Sequence, residues 1–174
     1  MEVREAIEKR KSTRNFLSVP LPVNVVREIL RFANMAPSAG NLQARDFIIV
    51  NDEEKKKALA RAAHQAFVKD APVIIVACAN YERIAPYGER GRNLYVLQDV
   101  AAAIQNILLL ATDYGLGTCW VGAFDEKAVS NILSLPPHIR PLALIPIGYA
   151  SMEERKTGRM VIDDLLHFNK WEGQ

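Results

Sequence analysis

Residues 94–114 constrain the fold more than any other part of the chain. Leu97, Val100, Ala101, Ile104, Ile107, Leu108 and Ala111 recur at helical spacing and cover most of a helix circumference. A helix that is apolar on nearly every side has to be wrapped by other elements, so it belongs at the centre of a layered fold. With 174 residues there is material for one domain around it and too little for two. Hydrophobic residues make up 49% and charged residues 24%, the balance of a folded soluble protein. The apolar runs 71–79 and 100–111 are too short or too interrupted to span a bilayer. The charged, amphipathic start, residues 1–10, is unlike a secretory leader. The expectation is a cytoplasmic protein with no membrane partner.

Around that helix the pattern alternates. Val3, Ala6 and Ile7 predict a short helix over 2–11. Pro22 opens a second, with Val25, Val26, Ile29, Leu30 and Ala33 on its apolar face and an end near Met35, ahead of Pro37. Residues 47–50 read as a strand. Asp52 caps a helix of about a dozen residues with Leu59 inward. Consecutive β-branched residues over 73–77 read as a buried strand. Residues 81–91 hold Pro, Gly and charges without a period, and read as an exposed loop or lid. A short strand is expected over 118–121, a helix from Asp125, and a strand over 141–147 in which Pro146 argues against full pairing. The tail, 153–174, starts charged and ends in Leu165, Leu166, Phe168 and Trp171; Asp163-Asp164 fits a helix start. Helices alternating with strands give a mixed α/β class with helices on both faces of a sheet, in one domain over 1–174.

Three segments have the makings of chemistry. In Arg10-Lys11-Ser12-Thr13-Arg14, three cations and two hydroxyls lie where a helix gives way to a loop, which suits a phosphate dianion. A solvated basic helix end would look the same. In 36–43, small residues let a backbone approach a flat ligand, and Asn41 and Gln43 add amides. An ordinary helix-to-strand turn would share that composition. In 115–125, Gly115 and Gly117 suit a close-packed turn, while Gly122 falls where backbone N–H groups can face a ligand. This is not a glycine fingerprint after a strand, so a Rossmann site is rejected. His64, His138 and His167 lack metal-ligand spacing, and Cys78 and Cys119 form no CxxC pair, so no metal is expected. A net charge of +2 gives no footprint for nucleic acid. With no triad, metal or phosphate loop, an enzyme of this kind relies on a cofactor.

Together these segments resemble the nitroreductase family of flavoproteins. An R-x-S-x-R pattern stands as Arg10, Ser12 and Arg14, followed by Phe16. An A-P-S-x-x-N-x-Q loop stands as Ala36, Pro37, Ser38, Asn41 and Gln43. A G-L-G-x-x-W-x-G segment runs from Gly115 to Gly122, and the tail carries His167-Phe168-Asn169-Lys170-Trp171. The motifs occur in order over nearly the whole chain. The resemblance implies an α+β fold, a three-layer α/β/α sandwich with a central, mainly antiparallel sheet. It implies a homodimer with two FMN sites at the subunit interface and a tail that embraces the partner. Arg10 and Ser12, with Lys11, would hold the phosphate end, helped by Lys156 and Arg159. Arg14 would reach the pyrimidine edge. Pro37, Ser38 and Ala39 would come from the partner, with Asn41 and Gln43 in the same loop. Trp120 and Val121 would pack on the isoalloxazine, and the N–H of Gly122 or Ala123 would address N5.

The implied activity is ping-pong reduction of a small-molecule acceptor, such as a nitroaromatic or quinone, by NADH or NADPH. Flavin N5 carries the chemistry and no protein nucleophile is needed. Two departures stand out: Ala44 and Arg45 replace the usual proline and aromatic after the loop glutamine, and the insertion that roofs the flavin is cut down to about 81–91. A second reading has Tyr81, Glu82, Arg83, Tyr87 and Arg90 grip a small zwitterion for a specialised flavin reaction such as dehalogenation. A third is FMN binding without turnover.

Overall fold

All eight residues of Val73–Asn80, strand β2, are buried in the computed structural model, which describes residues 1–152, 154 and 157–171. A strand of that kind must be covered on both faces. Its side chains alternate accordingly: Val73, Ile75, Ala77 and Ala79 enter one core, and Ile74, Val76 and Cys78 enter another. Strand β1, Arg45–Val50, pairs with one edge of β2 and β4, Ile139–Gly148, with the other; β3, Gly117–Thr118, adds to β4. The order is β1-β2-β4-β3, antiparallel at each pairing.

Two helices fill each face. Val26, Ile29 and Ala33 of α2, Val23–Ala33, join Val100, Ile104, Ile107 and Ala111 of α5, Val96–Asp113, in the first core. Leu59, Ala60 and Ala62 of α3, Glu53–Ala62, join Val129 of α6, Glu126–Leu133, in the second. The short α1, Val3–Lys9, lies against α5. This is the three-layer α/β/α sandwich that the resemblance implies. Asp52 accepts the Lys55 N–H at 2.8 Å and Asp125 the Ala128 N–H at 2.9 Å, so both predicted caps are in place.

Several expectations change. Residues 81–91 are not an extended loop. They wind through turns, a 3₁₀ turn at Ala85–Tyr87 and the single helical turn α4, Gly88–Arg90, into a π-helical turn at Gly91–Tyr95 that runs on into α5. Ile84 is the anchor, fully buried in the first core. Joined in this way, Ala85–Asp113 is 29 residues long, and apolar enough to cross a bilayer by length and composition, which the shorter runs concealed. In this fold one side of it, with Val96, Val100, Ile104, Ile107, Leu108 and Ala111, enters the first core, while Leu97, expected to face inward, is 37% exposed and Ala101 half-buried. Pro146 sits within the ladder, opposite Ile74. Its carbonyl accepts from Cys119 N–H at 3.3 Å, so its missing donor faces the β3 side, where pairing has just ended at Thr118. The irregularity in β4 lies elsewhere: a bulge between Ala77 and Cys78 leaves Leu142 out of register.

Candidate functional site

The basic segment is laid along the sheet edge. After α1, Ser12 bridges Thr118, and the Thr13 N–H donates to the Thr118 carbonyl at 2.8 Å. Farther on, Phe16 bridges Ala150 and the Leu17 N–H donates to the Tyr149 carbonyl at 2.8 Å. Gly117 makes this docking possible. A Cβ there would lie 2.5 Å from Thr13 Oγ1, and Thr13 is buried. The first and third sequence motifs are therefore joined by one contact.

A cavity of about 520 Å³ opens beside that junction, lined by Ile7, Arg10, Gln105, Leu108, Trp120, Thr157 and Arg159. Three predicted residues from three distant segments, Arg10, Trp120 and Arg159, share this cavity. Lys156 lies outside the described residues. Leu108 was read only as part of the apolar helix and Gln105 was not singled out from sequence; the signal available was a polar residue, Gln105, within that helix. Arg159 is turned onto its own backbone, donating to the carbonyls of Thr157 and Gly158 at 3.2 and 2.9 Å. Trp120 is 42% exposed, a large amount for an indole that opens on a cavity.

Arg14 is exposed beside the cavity segment, with its guanidinium 5.9 Å from the centre of the Phe67 ring. Its main-chain N–H and the Asn15 amide donate to Glu154 Oε1 at 2.9 and 2.8 Å. Those two bonds, the backbone one first, hold the Glu154 carboxyl below its ordinary range. Next to Trp120, burial pushes the Cys119 thiol up, opposed by the charge of Arg14 and the hydroxyl of Ser12. Lys11 follows Arg10 on the same segment, half-buried.

Val121 departs from expectation. Its side chain is in the second core, and its N–H and carbonyl both bond Leu144 at 2.9 Å, so it offers no surface to a ligand. Gly122 and Ala123 are exposed. At Gly122 the φ is not positive, and an added Cβ would meet only Trp120 Nε1, at 3.9 Å. Neither backbone geometry nor internal packing requires a glycine there. Close approach by a group from outside the chain would require one.

The 36–43 loop contributes nothing to the Arg10 cavity of its own chain. Pro37 is exposed, and Ser38 and Ala39 half-buried. Gly40, Asn41 and Gln43 have φ of 55, 55 and 49°. The two predicted amides are engaged locally: Gln43 Oε1 accepts from Asn34 at 3.1 Å, and Gln43 Nε2 donates to the Asn41 main-chain carbonyl at 3.2 Å and to Asn41 Oδ1 at 3.5 Å. Ser38 Oγ accepts the Gln43 N–H at 3.0 Å. Arg45, noted above as a departure from the family pattern, is 3% exposed and directed inward. Burial draws its pKa down, and the charge of Asp99 opposes this.

The side chains proposed to grip a zwitterion are also engaged within the chain. Arg83 bonds the carbonyls of Gln43 and Arg45 and pairs with Asp46. Glu82 lies 3.3 Å from His138, and Arg90 donates to Tyr95 at 2.8 Å. Tyr87 lies against Gly40, where a Cβ would come within 2.6 Å of its hydroxyl.

The nitroreductase family model matches residues 7–69 and 61–149. An NADH dehydrogenase/NAD(P)H nitroreductase of Methanothermobacter thermautotrophicus is 33% identical, over 98% of this chain and 88% of that protein. A solved NADH dehydrogenase/NAD(P)H nitroreductase of Parabacteroides distasonis superposes with a TM-score of 0.86 at 29% identity, covering 97% of this chain and 98% of the other. The NADPH:FMN oxidoreductase of Vibrio harveyi, solved with NAD+, gives a TM-score of 0.91 at 26% identity over 99% of this chain and 79% of its own. With this fold, these motifs in register and matches over most of its length, the chain belongs to the nitroreductase family.

Proposed function

We propose that the chain is an FMN-dependent oxidoreductase, a cytoplasmic homodimer that takes reducing equivalents from NADH or NADPH. It passes them to a small acceptor such as a nitroaromatic or quinone in ping-pong order. The observation that carries this reading is the convergence of Arg10, Trp120 and Arg159 on one cavity. The donor set there suits FMN: two guanidiniums and a nearby hydroxyl for a phosphate dianion, an exposed indole beside it, and a glycine that nothing inside the chain requires. The NADPH:FMN oxidoreductase of similar fold supports the same choice of cofactor.

FMN, when bound, supplies the hydride-accepting centre. The protein's part is to bind and orient. Arg10 and Ser12, with Lys11 beside them, hold the phosphate end, and Arg159 and Lys156 add charge. Arg14 would supply a fixed cation at the pyrimidine edge, which would favour the more negative, reduced form of the cofactor. Trp120 gives the ring a flat neighbour, and the N–H groups of Gly122 and Ala123 address its polar edge. Residues 37–39 reach the site of the partner subunit, in keeping with their absence from their own chain's cavity. The tail favours the dimer as well. Ile162, Leu165, Leu166, Phe168 and Trp171 are all exposed in the single chain, an apolar run that a partner would cover.

The zwitterion reading has less support, since Glu82, Arg83 and Arg90 are occupied by neighbours. Purified protein should bind FMN and turn yellow. Anaerobic NADH or NADPH should bleach it, and a nitroaromatic or quinone should restore the colour. Protein that stays colourless in excess FMN refutes the reading; a yellow protein that neither nucleotide bleaches is a flavin-binding protein without turnover.

A further inference from the structure

An arginine guanidinium carries five N–H groups, and Arg45 uses all of them. Nε donates to Asn34 Oδ1 at 3.2 Å. One terminal nitrogen donates to the carbonyls of Pro37 and Asp99 at 3.3 and 3.2 Å; the other donates to those of Asn34 and Ala36 at 2.9 and 2.7 Å. Every acceptor is neutral, so no N–H remains for the Asp99 carboxylate. Asp99 is 5% exposed. Its Oδ1 takes the Ala39 N–H at 3.0 Å, and its Oδ2 is buried with no partner among the described residues.

Two buried charges thus grip one short segment. Arg45 holds the carbonyls of Asn34, Ala36 and Pro37, and Asp99 holds the N–H of Ala39. Directly afterwards, Gly40 takes a positive φ at no cost, but so do Asn41 and Gln43, and a glutamine resists it. Such strain persists only where the surroundings impose it, and an orphaned carboxylate oxygen is itself unfavourable. Stability alone does not account for this arrangement, because apolar residues fill such a space at least as well.

We propose that Arg45 and Asp99 are positioning residues for the flavin site, locking the backbone of 36–39 into the shape that the partner subunit's flavin meets. The proposal rests on the FMN reading above. Neither residue needs to touch the cofactor; both act through the loop.

The test uses Asp99→Asn, which keeps an acceptor for Ala39 but removes the charge, and Arg45→Lys, which keeps a charge but loses the fork. FMN affinity, the visible spectrum of bound FMN, and the melting and dimerisation of the apoprotein are measured for both. The expected result is affinity weakened by about tenfold or more with an altered flavin spectrum, in protein that remains dimeric. If Arg45→Lys does not fold, Asp99→Asn carries the test. A mixed dimer of one Asp99→Asn chain and one Arg10→Ala chain adds direction. Action across the interface leaves one intact site of wild-type affinity per dimer, while action within a subunit leaves none. Variants that bind FMN within about twofold of wild type with an unchanged spectrum overturn the proposal, even if they melt earlier, and leave the FMN reading standing. Wild-type protein that binds no FMN sinks both.

Discussion

Gly117 is the position where a single methyl group separates a docked basic segment from a displaced one. An alanine Cβ there would lie 2.5 Å from Thr13 Oγ1 and 2.7 Å from Thr13 Cβ and Cγ2, where real Cβ atoms do not approach below 3.0 Å. Thr13 is no flexible tip: it is 1% exposed and its N–H is bonded to Thr118. Overpacking of this kind costs about 1–3 kcal/mol. A stiffer unfolded chain offsets about 0.4–1 kcal/mol of that, since the φ of Gly117 is open to alanine. Gly117→Ala should therefore lower stability and, by shifting residues 10–14, weaken FMN binding. A double-mutant cycle followed by urea denaturation isolates the contact, because the unfolded-chain contribution cancels. Thr13→Gly removes all three opposing atoms, whereas Thr13→Ala leaves the Cβ. The interaction energy should be about 1–3 kcal/mol with Thr13→Gly and smaller with Thr13→Ala. Energies that add within about 0.5 kcal/mol would show that Thr13 is not the reason for the glycine.

Arg10→Ala should weaken FMN binding by about 1.5–3 kcal/mol, and Arg14→Ala by less, because on the proposed reading Arg14 would face charge that grows on reduction; fluorescence titration and the midpoint potential separate the two effects. Removing residues 160–174 should release monomers and lose FMN together, which size-exclusion chromatography with absorbance detection reads directly. Cys78 gives a pH signature. Unfolded, its thiol ionises near 9.0; folded, burial first and the charge of Asp46 second push it up to about 12. Between those values the unfolded chain releases a proton that the folded one keeps, so stability falls as pH rises through this window, and Cys78→Ala should flatten that limb of the urea midpoint against pH. Asp52→Ala removes the cap of α3 and should cost about 1 kcal/mol, measured by thermal denaturation.

The layers were legible because periodicity records burial. The β-branched run of β2 admits one kind of surrounding, and Asp52 and Asp125 announce helix starts by their chemistry; the all-round apolar pattern of α5 placed it correctly in a layer, but the single chain buries only one side of it and leaves Leu97 exposed. Residues 81–91 misled because Pro86, Gly88 and their charges have loop composition, while the feature that decides the conformation is the burial of Ile84 beneath them. The role of Arg45 went unread for a different reason. Its acceptors are mostly main-chain carbonyls, which no side-chain pattern records. Val121 was assigned to the ligand by its neighbours in the motif, but strand alternation turns it into the core. The convergence of Arg10, Trp120 and Arg159 was legible only through the family resemblance; spacing alone does not bring residues 10, 120 and 159 to one cavity.

The docking of residues 12–17 also bears on the order in which this fold assembles. Nearly everything they lean on lies a hundred or so positions farther along the chain. Thr13 needs Thr118, Leu17 needs Tyr149, Asn15 takes the N–H of Ser151, and Arg14 is tied to Glu154 across 140 positions. The β1–β2 pairing closes over a far shorter span. Closing long loops is entropically unfavourable and slows folding. On refolding, the β1–β2 pairing would therefore form early and residues 12–17 would dock late. If those residues hold FMN as proposed, the recovery of yellow colour would lag behind the recovery of helical signal.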